Sequence, residues 1–124
     1  MNSKSRSIFG ICLLIAAASF SLFQVNMSFA DSTDDVLAEG RELTEDRQKG
    51  NCLACHIVAD GEFPGTQGPP LIFMQQRFPD KAKLRARIYD ATAANPDTMM
   101  PPFGRHGILT DEEVDKITEY VYTL

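Results

Sequence analysis

Apolar positions recur at helical spacing in three segments of this chain, and two long stretches rich in glycine and proline separate the segments. In the first segment, residues 35–56, Val36, Leu37, Gly40 and Leu43 fall on one face of a helix. The pattern predicts a helix that runs through this segment toward its two cysteines.

The second helical segment covers residues 78–95. Asp80, near its beginning, belongs to the residue types that favour helix starts. Leu84, Ile88 and Ala91 fall on one face, whereas the other positions are mostly polar or charged. The spacing therefore predicts a second helix with one apolar side.

The last segment, 109–124, has the clearest helix signal in the chain. Thr110 is a favoured N-cap residue, and Glu113, three residues later, completes a capping box. Acidic residues fill the first turn, where the helix dipole favours negative charge. The apolar positions form one stripe with an aromatic residue beside it: Val114, Ile117, Val121 and Leu124, with Tyr120. We therefore predict a third helix here.

The two stretches between the helical segments, 57–71 and 95–107, contain the glycines and prolines typical of loops. No segment alternates apolar and polar residues as a half-buried strand does. The sequence therefore predicts an all-α fold of about three main helices with long loops. Two long loops are unusual in a small helical domain, and they indicate that the chain wraps a large group.

The N-terminal residues follow the pattern of a secretory signal peptide. Lys4 and Arg6 make the start positive, an apolar run covers 8–23, and Ser28 and Ala30 have the spacing of a cleavage site. We expect cleavage after Ala30 and export to the periplasm. An uncleaved membrane anchor is the alternative, but the run is shorter than the roughly 20 apolar residues of a bilayer span.

Cleavage of the signal peptide, residues 1–30, leaves one small domain, residues 31–124. Cys12 leaves with the peptide, so Cys52 and Cys55 are the cysteines that remain. Two positive charges are also lost, and the formal net charge moves from −5 to about −7. This charge argues against nucleic acid and anionic membrane surfaces as partners.

The chemistry of the chain is concentrated in GNCLACH, residues 50–56. A thioredoxin-like redox pair needs a preceding strand, and a structural zinc site needs four ligands, of which the chain offers Cys52, Cys55, His56 and the distant His106. In an exported protein, C-x-x-C-H is typical of covalent haem attachment. Residues three apart on a helical turn point the same way, so both thiols reach one haem edge. The neighbouring imidazole then lies under the iron.

The second axial position of such a haem has several candidate ligands. Met99 and Met100 lie in the proline-rich loop, and a thioether is a soft ligand that raises the reduction potential of a His-ligated haem. Met100 directly precedes two prolines that stiffen its backbone, so we predict Met100 with His56 as the axial pair. Met74 and His106 are the remaining alternatives.

A ligating histidine normally donates its other ring N–H to a carbonyl or carboxylate, which fixes the ring. The segment GPPL, residues 68–71, follows His56 by about 13 residues. We predict that the carbonyl of Pro69 is the acceptor for His56.

The order of these features resembles that of class I c-type cytochromes: GNCLACH, then GPPL, a loop methionine before proline, and a C-terminal helix with an aromatic residue. The resemblance implies the class I cytochrome c fold around one covalently bound haem c. It also implies that the first and last helices cross closely, with Gly40 and Tyr120 as the contact residues.

Within that family, residues 50–71 and 84–124 are similar to SoxX, the monohaem subunits of periplasmic SoxAX complexes of sulfur oxidation. The resemblance implies an electron-relay subunit of an L-cysteine S-thiosulfotransferase, which oxidatively couples thiosulfate to a cysteine of the SoxYZ carrier. It implies SoxA as the heterodimer partner with the catalytic centre, no catalytic residue in this chain, and a small cytochrome c as electron acceptor. The alternative function is a free, diffusible periplasmic electron carrier.

Overall fold

The computed structural model describes residues 32–58 and 61–124, and these residues are helical with long loops. The helices are α1 (Thr33–Glu45), α2 (Met74–Arg77), α3 (Lys81–Tyr89) and α4 (Asp111–Tyr122), and two 3₁₀ turns cover Cys52–Ala54 and Ala91–Ala93. No strand occurs in the part of the chain that is described. The predicted all-α class with three main helices is confirmed.

The predicted signal peptide, residues 1–30, and Cys12 lie outside the described residues, so its cleavage stays a prediction. Within residues 32–58 and 61–124, no helix has both the length and the apolar character needed to cross a bilayer.

The first helix is shorter than its sequence pattern predicted, and the expected continuation to the cysteines is wrong. α1 ends at Glu45 because Asp46 adopts an extended conformation, and the Asp46 side chain accepts a hydrogen bond of 2.8 Å from the Gln48 backbone N–H. Such an aspartate turn competes with the helix for backbone hydrogen bonds. Asn51 then takes a left-handed conformation, with φ of 46°, directly before the 3₁₀ turn of the cysteines.

Helices α1 and α4 cross at Gly40, as the family resemblance implied. A Cβ atom built on Gly40 lies 2.8 Å from the carbonyl carbon of Lys116 and 2.9 Å from the Tyr120 Cβ. Real Cβ atoms do not approach other atoms so closely, so the crossing requires glycine. One turn further along α1, the Thr44 side chain is fully buried. Its hydroxyl donates a hydrogen bond of 2.7 Å to the Gly40 carbonyl, so this buried polar group is satisfied.

The core is built mainly from the apolar stripe predicted for α4. Val114, Ile117 and Val121 are each at most 3% exposed, and Leu109, just before α4, and Met74 of α2 pack into the same cluster. The capping box is also present, because the Thr110 side chain accepts from the backbone of Glu113 and the Glu113 side chain accepts from the Thr110 backbone. Local sequence signals and burial agree at this helix.

Ion pairs join α4 to the rest of the fold on several sides. The pairs are Lys81–Glu119 at 2.7 Å, Arg85 with Asp111 at 3.0 Å and with Asp115, Lys116–Glu39 at 2.5 Å, and Lys49–Glu113 at 2.7 Å. Within α4, Lys116 also pairs with Glu112 at 3.0 Å. Two basic residues of α3 therefore serve to hold α3 against α4.

The Lys49–Glu113 pair gives the fold a testable pH dependence. The hydrogen bond from Lys49 and the one from the Thr110 backbone lower the pKa of Glu113 below its ordinary value of 4.5. A carboxylate with a lowered pKa stabilises the fold above its ordinary pKa, and this stabilisation is lost as the pH falls through the lower, folded value. We expect Glu113→Gln to lower the free energy of unfolding at neutral pH by about 0.5–1 kcal/mol.

Urea unfolding at pH 7 and at pH 3.5 measures this effect. The difference in stability between wild type and Glu113→Gln should shrink at the lower pH, whereas Glu62→Gln in an exposed loop should change neither value. A difference that is equal at both pH values would contradict the assignment of the ion pair.

Candidate functional site

The cysteines and the histidine of GNCLACH lie on one tight turn. The backbone N–H groups of Cys55 and His56 both donate to the Cys52 carbonyl, at 3.1 and 2.8 Å. In a 3₁₀ turn, residues three apart lie on the same side, so Cys52 and Cys55 share one face. The left-handed Asn51 reverses the chain just before this turn. The cysteines thus lie on a 3₁₀ turn and not on the helical turn that the sequence predicted, and the expectation that both thiols reach one haem edge stays a prediction.

The His56 ring is fixed by the carbonyl of Pro69, which lies 2.7 Å from Nδ1. A carbonyl oxygen only accepts, so Nδ1 carries the proton and Nε2 keeps its lone pair for a metal ion. Gly68 is packed against the ring, since a Cβ atom there would lie 2.5 Å from Cε1 and 2.6 Å from Nδ1. The segment GPPL thus supplies both an acceptor and a flat surface for the imidazole.

The segment 65–71, which includes GPPL, is folded back onto the cysteine turn and the residues after it by backbone hydrogen bonds. These run from Gly65 to Leu53 at 2.7 Å, from Gly68 to Cys55 at 2.8 Å, and from Leu71 to Ile57 at 2.8 Å. A Cβ atom on Gly65 would lie 2.6 Å from the carbonyl carbon of Ala54. The close approach of the two backbones explains why residue 65 is glycine, whereas the sequence indicated only that this glycine is typical of a loop.

The thiol of Cys52 is not prepared for nucleophilic or redox chemistry. Burial raises the pKa of the Cys52 thiol to about 11; a backbone hydrogen bond opposes this shift and the nearby Cys55 adds to it. At neutral pH such a thiol stays protonated, whereas reactive cysteines are those with lowered pKa values. Cys52 therefore lacks the lowered thiol pKa that is typical of a nucleophilic cysteine.

The two loop methionines differ clearly in their surroundings. Met99 is 83% exposed, whereas Met100 is half-buried and packs against the hydrophobic core. The Met100 backbone N–H donates 3.2 Å to the Thr98 hydroxyl, which helps to orient the residue. Met74, the third candidate, is 1% exposed in the core, and His106 is exposed on the surface. Met100 is therefore the loop methionine that faces inward.

This set of groups fits a haem. An imidazole with a free Nε2, two same-face thiols beside it and an inward thioether are the donors that a haem c requires. Bound there, a haem supplies an iron that changes its oxidation state by one electron. The chain's own residues hold the ring of His56 and keep Met100 turned toward the interior.

Comparison with known proteins agrees with this chemistry. The family model described as cytochrome c oxidase, cbb3-type, subunit III matches residues 35–121, which is most of the described chain. The chain belongs to this family of cytochrome c domains. As a member of the family, the domain is a haem protein of electron transfer, and haem c is its expected cofactor.

The cytochrome is SoxX-like in its fold. A chain of the crystal structure of SoxXA from P. pantotrophus superposes with a TM-score of 0.63 and 28% sequence identity, over 69% of this chain and 79% of that chain. The class I cytochrome c fold implied by the sequence is thereby confirmed.

A curated relative from Aquifex aeolicus (strain VF5), described as an uncharacterized lipoprotein, is 36% identical over 80 residues. The match covers 60% of this cytochrome and 37% of that relative, so the chain spans little more than a third of the relative's length.

Proposed function

We propose that the chain is the electron-relay subunit of a SoxAX-type L-cysteine S-thiosulfotransferase in the periplasm, with residues 1–30 as its signal peptide. The observation that carries the proposal is His56, whose Nδ1 is held by Pro69 so that Nε2 is presented within a SoxX-like fold. A fixed axial histidine suits a haem whose task is to accept and release electrons.

One haem c is attached, in this proposal, through thioether bonds to Cys52 and Cys55. His56 and Met100 would hold the iron of this haem, which would leave no position on the iron for a substrate. Neither cysteine would remain as a free thiol, so residues 31–124 would offer no cysteine nucleophile of their own. Both features support a relay, and in this proposal the catalytic centre lies on the partner, SoxA.

The proposed reaction releases two electrons, and this chain takes them up one at a time. A carrier thiol and thiosulfate form a new S–S bond, the thiol proton is released, and two electrons leave the sulfur atoms. A single haem accepts one electron, so this chain passes the two electrons in succession to a small cytochrome c. SoxYZ, as the carrier, and that small cytochrome are transient partners, whereas SoxA is the heterodimer partner.

The test is the size and haem content of the native periplasmic species. We expect the chain to co-purify in stoichiometric amount with a second haem protein, in a complex well above the mass of this domain. On a denaturing gel after acid–acetone extraction, haem stain should remain on the band of this chain, because thioether bonds survive that treatment. Thiosulfate oxidation assays with the carrier protein follow on the purified complex.

Two results would contradict the proposal in different ways. A monomer with one haem and no partner would indicate the diffusible electron carrier instead. Loss of haem stain after extraction would exclude covalent attachment at Cys52 and Cys55.

The variant His106→Ala is the matched control for His56→Ala, since only the latter should reduce haem incorporation.

A further inference from the structure

The loop that carries Met100 is fastened where it returns to the end of α3. The backbone N–H groups of Gly104 and Arg105 both donate to the Tyr89 carbonyl, at 3.0 and 3.2 Å. Gly104 lies flat against the Tyr89 ring, because a Cβ atom there would be 2.8 Å from Cγ of that ring. The segment from residue 92 to residue 103 is thus a closed loop with Met100 inside it.

A side-chain network closes the same junction. The Arg105 guanidinium donates 3.2 Å to one carboxylate oxygen of Asp90, and the other oxygen accepts 3.0 Å from the Thr92 backbone N–H. The Thr92 hydroxyl also donates to Asp90, and this bond is the main cause of a lowered pKa for the Asp90 carboxyl. The Asp90 side chain is 15% exposed and the Arg105 side chain is 61% exposed, so the Asp90 carboxylate is held more firmly than the Arg105 guanidinium.

The geometry points to Asp90 and Arg105 as positioning residues that fasten the Met100 loop and oppose replacement of the Met100 sulfur on the iron by outside ligands. The inference rests on the proposed function, because it takes Met100 as the axial ligand. A loop whose ends are joined samples fewer open conformations, and an axial methionine leaves the iron only when its loop opens. The pair therefore acts on the iron through the loop and touches neither haem nor substrate.

The size of the effect follows from the exposure of the pair. Partly exposed ion pairs contribute only modestly to the free energy that holds a structure closed. We therefore expect loss of the pair to raise the affinity of the iron for an outside ligand about two- to fivefold. A change of this size is measurable by titration and is too small to unfold the domain.

The experiment titrates imidazole into the ferric, haem-loaded protein isolated from the periplasm, and follows the weak red absorption band of Fe–S(Met) ligation. Asp90→Asn keeps an oxygen for Thr92 but removes the charge that Arg105 contacts, and Arg105→Gln removes the other partner. Both variants should bind imidazole more tightly than wild type. Arg105→Lys keeps the positive charge, so its imidazole affinity should lie between that of wild type and that of Arg105→Gln. Glu119→Gln, which breaks the Lys81 pair between α3 and α4, is the control and should leave imidazole affinity unchanged.

A second background shows whether the effect passes through methionine. In Met100→Ala protein there is no sulfur to displace, so adding Asp90→Asn should change imidazole affinity no further. Equal effects of Asp90→Asn with and without Met100 would overturn the inference. If wild type shows the red band but Asp90→Asn binds imidazole no more tightly than wild type, the inference would be overturned as well. Absence of the red band from wild type would instead refute Met100 ligation itself, and with it this role of the pair.

Discussion

Replacing Met100 with alanine is expected to abolish the weak red absorption band that reports an iron–thioether bond, whereas Met99→Ala should leave the band intact. The reason is burial: Met100 packs against the core, and Met99 projects into solvent with 83% of its surface exposed. The two variants remove the same side chain from neighbouring positions, so each is the control for the other. Spectra of the ferric protein at neutral pH are sufficient.

The same substitution should also change the reduction potential. A methionine ligand opposite histidine raises the potential of a haem because it favours ferrous iron. Met100→Ala should therefore lower the potential and open the iron to imidazole, while Met99→Ala should do neither. If Met99→Ala removed the band and Met100→Ala kept it, the assignment of the axial ligand would be reversed.

The elements that the sequence predicted well are those specified by neighbouring residues. The start of α4 is set by Thr110 and Glu113, which are three residues apart, and both hydrogen bonds of the capping box occur. The contact between His56 and the Pro69 carbonyl spans 13 residues, but both belong to short motifs whose chemistry is recognisable in isolation. Local chemistry was sufficient in both cases.

The errors have a common physical origin. The helical pattern of α1 was extended past Glu45 because apolar spacing does not reveal that the Asp46 side chain forms a turn with Gln48. Helix α2 was missed because it is a single turn of four residues that follows Phe73 in a left-handed conformation, with no polar cap. One turn is too short to give a periodic signal.

The fastening of the Met100 loop could not be read from sequence spacing. Asp90 lies in the segment predicted as the second helix, residues 78–95, and Arg105 in the loop that follows it, and their contact depends on how the chain returns to Tyr89. His56, the proposed axial histidine, is held by a short motif, whereas Met100, the proposed axial methionine, is held by tertiary contacts. The two sides of the proposed haem site therefore differ in how much of their geometry the sequence alone reveals.

The largest stability effect is expected at the crossing of α1 and α4. Glycine is a poor helix former, and Gly40→Ala would gain about 1 kcal/mol from helix propensity alone. The new methyl group, however, meets the Lys116 backbone and the Tyr120 Cβ, and atoms of a packed helix cannot move aside as a flexible side chain does. Overpacking of this kind costs about 1–3 kcal/mol or more, so we expect net destabilisation by Gly40→Ala and a larger loss with Gly40→Val.

Thermal unfolding of the haem-loaded protein, followed by far-ultraviolet circular dichroism, tests this expectation. For a domain of this size, each 1 kcal/mol lowers the melting temperature by about 4–8 °C. Ala38→Val adds a branched side chain at an exposed position of the same helix and should lower it by only a few degrees. A higher melting temperature in Gly40→Ala would mean that the two helices separate easily, and that the close crossing is not what holds α1 in place. A much larger drop in the Gly40 variants than in Ala38→Val would show that the backbone contact between α1 and α4 limits the stability of the whole haem-binding fold.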